Sequence, residues 1–568
     1  MAVAVAYASE TGRAEALAWR CRSWLRLRDI TCKEPVALDA LGEADVTVIF
    51  AATAGDGAPP ANAKRFWSAL LRKGAPRLDG KKYALYGLGD ARYGQKYNAF
   101  ARRLDARLAQ LGGVKLCERA LGDACTLEGA ESFLPTFFSN LSPALGIEPA
   151  LEASLNGRVG DEAPERIEDY APPITVVLED GASSVHEYER KLLKKEGCST
   201  IVEAALTSTE RLTSEDWWQE VRHITFGAAV KYAPGDVAVL LPRNASAHVQ
   251  LGLTALQRRD PTLTNATSIV SEFLTGTVGD LLETGVDLAS PLSQRSLGLL
   301  ALFVAGDDAT ASEQRHKLKE LASASGGALY RDYVRSERRG LVDVLVDFDR
   351  CAPSLEALLD AAPKLRPRHY SIASCSSTTV ELCVARAFAT TPLNRRVPGL
   401  CSSWLCDLRA GKVLLGVRTG EFEVPGPEPL VFVGPGTGIA PARAFSLNPE
   451  RGAMLLFFGC RDEHKDRLYS NEFSAMANLT VDVSVSRHAD ASQRRYVTKA
   501  LRAKATEVAA LILDRGARFY VAGNAKMAAD VALALADCLA PRCAGPQKAQ
   551  VLLRQLEREG RFATEAFG

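Results

Sequence analysis

The segment Val431–Arg443, with the sequence VFVGPGTGIAPAR, most constrains what this chain can fold into. Its first three apolar residues indicate the end of a buried strand. The glycine-rich residues Gly434–Gly438 cannot continue that strand, because glycine favours positive φ and lets a ligand approach the backbone closely. The residues from Ile439 to Pro441 then predict the first turn of a helix, where proline is tolerated. This geometry can receive a phosphate or a nicotinamide group, although an ordinary strand–helix turn has the same pattern.

Length and composition restrict the class of protein. A chain of 568 residues exceeds what one hydrophobic core usually serves, so we expect several domains. The net charge of +1 gives no indication of a nucleic-acid partner, and no apolar run reaches the roughly 20 residues of a membrane span. The 13 cysteines form no CxxC pair, which argues against a disulfide framework and a zinc site. We therefore expect a reduced, cytoplasmic protein without a metal, a membrane anchor or a signal peptide.

Three further loops follow apolar strands within the first 145 residues. The first combines short hydroxyl side chains with a glycine before a helix, which suits a phosphate, although a capping turn without a ligand has the same residues. Strands that alternate with helices predict a parallel sheet, so the three loops should converge at its carboxyl edge. They predict a site for a flat phosphorylated ring. The loop residues are Ser9, Glu10, Thr11, Gly12 and Arg13, then Thr53, Ala54, Gly55 and Asp56, then Leu88, Gly89, Tyr93, Tyr97 and Asn98.

These loops resemble the flavodoxin-like FMN domain of the diflavin reductases. The resemblance implies that the first loop binds the FMN phosphate and that the other two flank the isoalloxazine. It also implies that Tyr93 stacks on the ring and that Asn98 and Asp123 approach it. Ala54 departs from the pattern of the cytochrome P450 reductases, in which an aromatic residue covers the other face of the ring.

A second motif, Arg368-His369-Tyr370-Ser371, stands on a predicted barrel strand. It resembles the FAD-binding motif of the ferredoxin–NADP reductase superfamily. The resemblance implies that the fork of Arg368 pairs with the pyrophosphate, that Tyr370 lies against the flavin ring and that Ser371 contacts it near N5. Further FAD contacts that it implies are His369, Cys383, Val384 and Ala385 along the isoalloxazine, and Gly399, Leu400, Cys401 and Ser402 at the pyrophosphate.

In this order of motifs, the segment Val431–Arg443 resembles the nicotinamide loop of NADPH reductases. Ser486 and Arg487 follow a predicted strand, and a hydroxyl beside a guanidinium suits a 2′-phosphate, which favours NADPH over NADH. A solvated basic loop is the alternative. The other residues expected to bind NADPH are Gly436, Thr437, Gly438, Cys460, Arg461, Arg494, Tyr496 and Asp530.

The resemblance also implies residues that assist hydride transfer. Ser371 and Glu565 are the best candidates, and Asp530 is an alternative acid. Phe567 occupies the penultimate position, where the family has an aromatic residue, usually tryptophan, that stacks on FAD and moves aside for nicotinamide. A frayed tail is the alternative for Phe567.

Together the motifs predict a multidomain α/β architecture. A flavodoxin-like doubly wound FMN domain is expected at 1–145 and a linker at 146–173. An FAD-binding β-barrel is expected at 174–425, with a helical connecting insertion at about 250–340. A doubly wound NADPH-binding domain, ferredoxin–NADP reductase-like, is expected at 426–568.

The resemblance implies an oxidoreductase that moves electrons from NADPH through FAD and FMN to a protein acceptor. The turn Ala522–Lys526 and the short linker look closest to the branch that serves cytosolic iron–sulfur cluster assembly. The acceptor would then be an anamorsin-type iron–sulfur protein. A soluble reductase for a haem protein or for methionine synthase is the enzymatic alternative, and a non-catalytic scaffold is the other.

The charge of the FMN segment bears on the acceptor. Residues 1–145 contain 20 Lys and Arg against 15 Asp and Glu, a balance of +5. FMN domains of cytochrome P450 reductases are typically acidic and dock basic partners, so this balance favours an acidic acceptor. Basic residues beside the flavin loops are Arg13, Lys64, Arg65, Arg92 and Lys96. A scattered, solvated distribution of these charges is the alternative.

Overall fold

The computed structural model divides into two compact units, Met1–Ser183 with Ser246–Lys364, and Ser184–Ala245 with Leu365–Gly568. The boundaries predicted for the domains and for the linker at 146–173 stay predictions. The structure describes residues 3–10, 12–26, 28, 30–54, 57–72, 74–124, 133–147, 166–170, 172, 175–179, 183–271, 274–323, 325–423, 426–450, 452–488 and 490–566.

The first part of the first unit is a parallel sheet with helices on both faces. Its strands, numbered along the chain, are β1 (Val3–Ala8), β2 (Val36–Ala37), β3 (Val46–Ala52), β4 (Lys82–Gly89), β5 (Val114–Lys115) and β6 (Ala120–Asp123). Their order is β2-β1-β3-β4-β5, with β6 also parallel to β4. Its helices are Arg13–Arg26, Lys64–Leu71, Ala99–Gln110 and Leu134–Ala144. This arrangement confirms the predicted flavodoxin-like, doubly wound fold.

A separate core lies on each face of this sheet, because the buried strands present apolar side chains to both sides. On one face Trp24 and Phe138 stack with ring centroids 4.7 Å apart. On the other face Leu70 and Phe100 pack from the helices Lys64–Leu71 and Ala99–Gln110. Because the strands are parallel, the helices that follow β3 and β4 begin at the carboxyl edge of the sheet, beside the loops of the predicted FMN site.

The rest of the first unit is mainly helical. A small antiparallel sheet accompanies the helices, with strands β7 (Val176–Val177), β11 (Ser268–Ser271) and β12 (Thr275–Thr277). The α-helices run from Ser246 to Ala361 and include the span at about 250–340 where an insertion is predicted. They are Ser246–Gln257, Val278–Asp280, Gln294–Leu302, Ala309–Ala322, Gly327–Tyr330, Leu341–Asp347 and Leu355–Ala361.

The second unit begins with an antiparallel sheet of six strands in the order β13-β10-β17-β8-β9-β14. The strands are β8 (Thr200–Arg211), β9 (Val221–Gly227), β10 (Val237–Leu240), β13 (Arg368–Ser371), β14 (Thr379–Ala385) and β17 (Lys412–Arg418). Ile372, directly after β13, pairs with Leu382 of β14, and the amide of Ala373 donates to the carbonyl of Glu381 at 2.7 Å. The two edge strands thus meet, which confirms the predicted barrel. The helices Val185–Lys195 and Leu400–Asp407 and the hairpin β15 (Phe388–Thr390) and β16 (Arg396–Pro398) accompany it.

A parallel sheet of five strands follows, in the order β20-β19-β18-β21-β22. The strands are β18 (Leu430–Val433), β19 (Met454–Cys460), β20 (Leu479–Val485), β21 (Arg518–Gly523) and β22 (Phe562–Ala566). The α-helices are Ile439–Leu447, Ser470–Ser474, Val497–Ala503, Ala505–Leu513, Ala525–Leu539 and Pro546–Arg558. Two apolar cores lie on opposite faces of this sheet, so it is doubly wound as predicted. Among the residues described, none of the helices combines the length and apolarity required to cross a bilayer.

Candidate functional site

The glycine turn after β18 has the predicted geometry. Gly436–Gly438 form one 3₁₀ turn, and the following helix begins at Ile439. A Cβ at Gly438 would lie 2.2 Å from the carbonyl oxygen of Ala522, so glycine is needed for the contact with β21. Gly436 has φ +56°, and a Cβ there would meet no atom within 4 Å. One side of the turn is thus packed and the other is open, which fits a ligand held against the backbone.

The ends of β19 and β20 bring two arginines together. The hydroxyl of Ser486 donates to the carbonyl of Cys460 at 3.1 Å, and the amide of Arg487 donates to the carbonyl of Arg461 at 3.0 Å. Burial, and then the nearby charge of Arg487, lower the pKa of Arg461. Two guanidinium groups that repel each other favour an anion beside them. This arrangement fits a phosphate group, as the sequence predicts.

The other residues predicted to bind NADPH have more local roles. Arg494 donates from Nε to the carbonyl of His488 at 3.0 Å, which shapes the loop after β20. Tyr496 directly precedes the helix Val497–Ala503 and is 66% exposed. The side chain of Asp530 is exposed on the helix Ala525–Leu539.

Ser371 and Glu565 are 194 residues apart in sequence but in contact. Ser371 ends β13, and its hydroxyl donates to Oε2 of Glu565 in β22 at 2.9 Å. Burial raises the pKa of Glu565, and the hydrogen bond from Ser371 opposes that change. A carboxyl group with a raised pKa beside an oriented hydroxyl can hold or release a proton. Phe567 lies outside the described residues.

The neighbours of Ser371 in β13 form their own contacts. Arg368 donates from Nη1 to the carbonyl of Arg366 at 2.9 Å. Nε2 of His369 lies 3.1 Å from Oε2 of Glu196. Burial raises the pKa of the Tyr370 hydroxyl well above its usual range, so that hydroxyl stays protonated.

The helix Leu400–Asp407 presents its N-terminus after Gly399, as expected for a pyrophosphate contact. The hydroxyl of Ser402 accepts from the amide of Ala387 at 3.1 Å and donates to the carbonyl of Gly399 at 3.2 Å. The hydroxyl of Ser403 is buried and has no hydrogen-bond partner among the described residues. Because buried polar atoms are nearly always paired, this free hydroxyl fits a ligand at the helix N-terminus.

The three residues of β14 that are predicted to contact FAD and the thiol of Cys401 differ in their surroundings, and their contact with FAD stays a prediction. Val384 is buried in the core of the barrel, Cys383 is buried in the apolar core on one face of the parallel sheet, and Ala385 ends the strand. Burial raises the pKa of Cys383 to about 12 and the pKa of Cys401 to about 11. Both thiols therefore stay protonated at neutral pH and are poor nucleophiles.

The first loop of the predicted FMN site is fixed from the side. The amide of Ser9 donates to Oδ1 of Asn62 at 3.0 Å, and Oε2 of Glu10 accepts from the amide of Ala61 at 3.1 Å. The hydroxyl of Ser9 is buried without a hydrogen-bond partner among the described residues. It lies just before the helix Arg13–Arg26, so it fits a phosphate there. Thr11 of this loop is outside the described residues.

The second loop is connected to the third. The amide of Thr53 donates to the carbonyl of Leu88 at 3.2 Å, and its hydroxyl accepts from the amide of Phe100 at 3.3 Å. Ala54 pairs with Ala58 through two backbone hydrogen bonds. The second and third loops thus lie side by side, in line with the convergence that the sequence predicts. Gly55, Asp56 and the side chain of Tyr93 lie outside the described residues.

Asn98 supports the third loop from within. Its side chain is fully buried, and Nδ2 donates to the carbonyl of Gly122 at 3.0 Å. Cβ atoms at Gly87 and Gly89 would lie 2.7 and 2.8 Å from Asn98, so only glycine fits at either position. Asp123 accepts from the amide of Ala91 at 2.9 Å. In the structure both polar side chains shape the loop, and their contact with FMN stays a prediction.

The hydroxyl of Tyr97 donates to the carbonyl of Leu121 at 2.8 Å. The phenol therefore joins the third loop to β6, and the ring lies at the carboxyl edge of the sheet. Arg102 places its guanidinium 5.3 Å from the centroid of this ring.

Sequence reasoning missed a charged cluster centred on Arg443, in the helix after the glycine turn. Arg443 donates to Oε2 of Glu381 at 2.6 Å, to Oε2 of Glu472 at 2.8 Å and to the carbonyl of Ala373 at 2.7 Å. Glu381 and Ala373 belong to the barrel, whereas Arg443 and Glu472 belong to the parallel sheet region. The cluster therefore connects the two parts of the second unit.

A histidine and a tyrosine complete this cluster. Nε2 of His223 lies 3.5 Å from Oε2 of Glu381, and Nδ1 of His223 bonds with the hydroxyl of Tyr469 at 3.0 Å. Burial raises the pKa of Glu381, but hydrogen bonds from His223 and Arg443 outweigh it and lower the pKa to about 2. A glutamate in the apolar strand ELCVA was the available signal, because a buried carboxylate needs a cation.

Comparison with protein families matches each part of the chain. The family model for flavodoxin matches residues 5–133, the model for the FAD binding domain matches 198–404, and the model for the oxidoreductase NAD-binding domain matches 432–532.

Full-length relatives are similar over nearly the whole chain. NADPH-dependent diflavin oxidoreductase 1 of Bos taurus is 32% identical over 99% of this chain and 99% of its own length. The protein of that name from Xenopus laevis is 33% identical over 92% of each chain. The one from Arabidopsis thaliana is 29% identical over 99% of this chain and 98% of its own.

Proposed function

The chain belongs to the family of NADPH-dependent diflavin oxidoreductases, and from this premise we propose that its acceptor is an acidic, anamorsin-type iron–sulfur protein of cytosolic cluster assembly. As an oxidoreductase of this family it uses FMN, FAD and NADPH and serves a protein acceptor of electrons. When bound, the two flavins let a two-electron donor supply a one-electron acceptor.

The described residues fit all three cofactors. The unpaired hydroxyl of Ser9 would bind the FMN phosphate, and the unpaired hydroxyl of Ser403 would bind the FAD pyrophosphate at its helix. The open side of Gly436 would face the nicotinamide half of NADPH. Arg461 and Arg487 would hold its 2′-phosphate.

Ser371 and Glu565 would serve the transfer from NADPH. The carboxylate accepts from Ser371 at 2.9 Å, which fixes the direction of the hydroxyl. Burial raises the pKa of Glu565, so its carboxyl group holds a proton more readily than an exposed glutamate does.

Arg487→Ala is expected to raise the KM for NADPH about tenfold or more, because it removes a charge-assisted contact with the 2′-phosphate. The KM for NADH should change little. Steady-state reduction of ferricyanide with each nucleotide checks this. Arg502→Ala, which removes an exposed ion pair with Asp537 in the same region, is the control and should leave both constants unchanged. Equal losses with NADPH and NADH would refute the assignment of Arg487.

The surface beside the FMN loops supports an acidic acceptor. Lys64 and Arg65 begin the helix Lys64–Leu71 and are exposed, Arg65 at 83% although its guanidinium lies 3.7 Å from Asp39. Lys96 and Arg102 are exposed at the start of the next helix. Both helix starts lie at the carboxyl edge of the sheet, the edge at which the flavin site is predicted. We call these four charges the basic rim; they would steer an acidic partner toward FMN.

Reversal of two charges of the basic rim, Lys64→Glu with Arg65→Glu, is expected to slow electron transfer to an acidic iron–sulfur acceptor roughly tenfold at low salt. Turnover with ferricyanide should stay at the wild-type rate, because ferricyanide can take electrons from FAD. Stopped-flow rates over a salt series check both results.

Arg26→Glu with Lys82→Glu is a control with the same change of net charge. Both residues are exposed at the opposite, amino edge of the sheet, so the acceptor rate should stay at the wild-type value. An acceptor rate that is insensitive to salt, or equally slowed in both double variants, would remove the basic rim as a docking surface.

A further inference from the structure

The loop Leu212–Glu220, between β8 and β9, carries the adjacent tryptophans Trp217 and Trp218. Arg211 holds the loop in shape. Its guanidinium and Nε donate to the carbonyls of Thr213 at 3.1 Å, Ser214 at 2.9 Å and Trp217 at 2.8 Å. These hydrogen bonds within the chain therefore define the conformation of the loop.

The same loop is attached to the segment after β19. Nζ of Lys465 lies 2.6 Å from Oδ2 of Asp216, and the amide of Ser214 donates to the carbonyl of Lys465 at 2.9 Å. These contacts place Trp218 beside Arg461, just after β19.

Trp218 forms a face for the Arg461 side chain. The guanidinium lies 4.8 Å from the centroid of the indole, and Arg461 also donates to the side-chain oxygen of Gln219. Phe388 meets the indole edge-on with centroids 5.9 Å apart, which restrains its rotation. The indole is nevertheless 44% exposed.

The contacts of Arg461 leave its positive charge available to bind an anion. Among the described residues its side chain meets an aromatic face and a neutral amide, and no carboxylate hydrogen-bonds to it. The carboxylate of Asp466 instead accepts from the backbone amides of Arg461 and Asp462. A guanidinium held in this way keeps donors for a phosphate.

We propose that Trp218 is a positioning residue for NADPH: it holds Arg461 flat beside Arg487, so that both guanidinium groups face the 2′-phosphate. The proposal rests on the assignment of Arg487 under the proposed function. Without the indole, Arg461 would have to be ordered by the nucleotide itself, which weakens binding.

The test compares Trp218→Ala, Trp218→Phe and Trp217→Phe in the holoenzyme, by calorimetric titration with 2′,5′-ADP and with 5′-AMP. Trp218→Ala is expected to weaken binding of 2′,5′-ADP about three- to tenfold, since an exposed cation–π contact is lost. Binding of 5′-AMP should not change. Trp218→Phe should restore most of the affinity. Trp217→Phe, a change beside it that does not touch Arg461, should match the wild type.

Kinetics provide a second readout. In Trp218→Ala the KM for NADPH should rise while kcat and the KM for NADH hold, a pattern that a general loss of structure would not give. Unchanged 2′,5′-ADP binding, or equal losses for both nucleotides, would overturn the proposal. Arg487→Ala is measured in parallel. If only Arg487→Ala weakens the binding of 2′,5′-ADP, the phosphate site is supported and the role proposed for Trp218 is wrong. If neither variant weakens the binding of 2′,5′-ADP, the assignments of Arg487 and of Trp218 are both wrong.

Discussion

Replacement of Arg443 by methionine is expected to lower the free energy of unfolding of the second unit by about 3–5 kcal/mol, because it leaves a buried carboxylate without its main partner. The side chains of Arg443 and Glu381 are only 11% and 20% exposed. Methionine replaces the apolar stem of the arginine side chain but makes none of its three hydrogen bonds to Glu381, Glu472 and Ala373. Thermal unfolding followed by FAD fluorescence should show a midpoint roughly 5–10 °C lower.

The difference in the free energy of unfolding between the wild type and Arg443→Met depends on pH, and the sign of this dependence is definite. Folding lowers the pKa of Glu381 from 4.5 to about 2, so the pairing stabilises the fold above pH 4.5. That stabilisation is lost as the pH falls from 4.5 toward 2. The gap between wild type and Arg443→Met should therefore narrow over this window.

Two variants serve as controls for Arg443→Met. Arg542→Ala breaks an exposed pair with Asp514, at 2.7 Å, and should cost at most about 1 kcal/mol. Glu381→Gln combined with Arg443→Met removes the stranded charge, so it should be more stable than Arg443→Met alone. If Arg443→Met alone were as stable as the wild type, the cluster would not stabilise the contact between the barrel and the parallel sheet.

Glu565→Gln is expected to slow NADPH-driven ferricyanide reduction about a hundredfold, the lower range for a general acid–base group. Glutamine can still accept from Ser371, so the loss would come from the missing proton-holding carboxyl. The wild-type rate should vary as the pH passes the raised pKa of Glu565, and this variation should disappear in the variant. Asp530→Asn tests the alternative acid, and its rate should remain close to the wild-type rate.

A loss of stability would not explain the slower ferricyanide reduction expected for Glu565→Gln. Burial raises the pKa of Glu565 above 4.5, so any stability it contributes is present below pH 4.5 and is lost as the pH rises through the raised value. A neutral amide avoids that loss, and the variant should be at least as stable at neutral pH. A fast Glu565→Gln together with a slow Asp530→Asn would assign the acid to Asp530.

Local patterns predicted the elements that depend on neighbouring residues. The strand before Gly434, the helix that begins at Ile439 and the parallel order of the first sheet all follow from hydrophobic runs broken by glycine. RHYS lies on a barrel strand, as the resemblance of this motif implied. The comparisons confirm the family, the three cofactors and the fold class.

Contacts between distant segments could not be predicted in this way. Ser371 and Glu565 were each identified, but their hydrogen bond depends on how β22 meets the end of β13. The cluster of Arg443, Glu381 and His223 is drawn from three separate segments, and no local period reports it. The site assignments and the acceptor stay predictions, and Phe567 lies outside the described residues.

The most direct test of the proposed acceptor is stopped-flow reduction by NADPH of three purified partners: an acidic [2Fe–2S] protein, a cytochrome P450 and methionine synthase. The account predicts that this enzyme reduces the iron–sulfur protein fastest, that the rate falls with salt, and that Lys64→Glu with Arg65→Glu slows that partner alone. Faster reduction of the cytochrome P450 or of methionine synthase, with an iron–sulfur protein left oxidised, would contradict it.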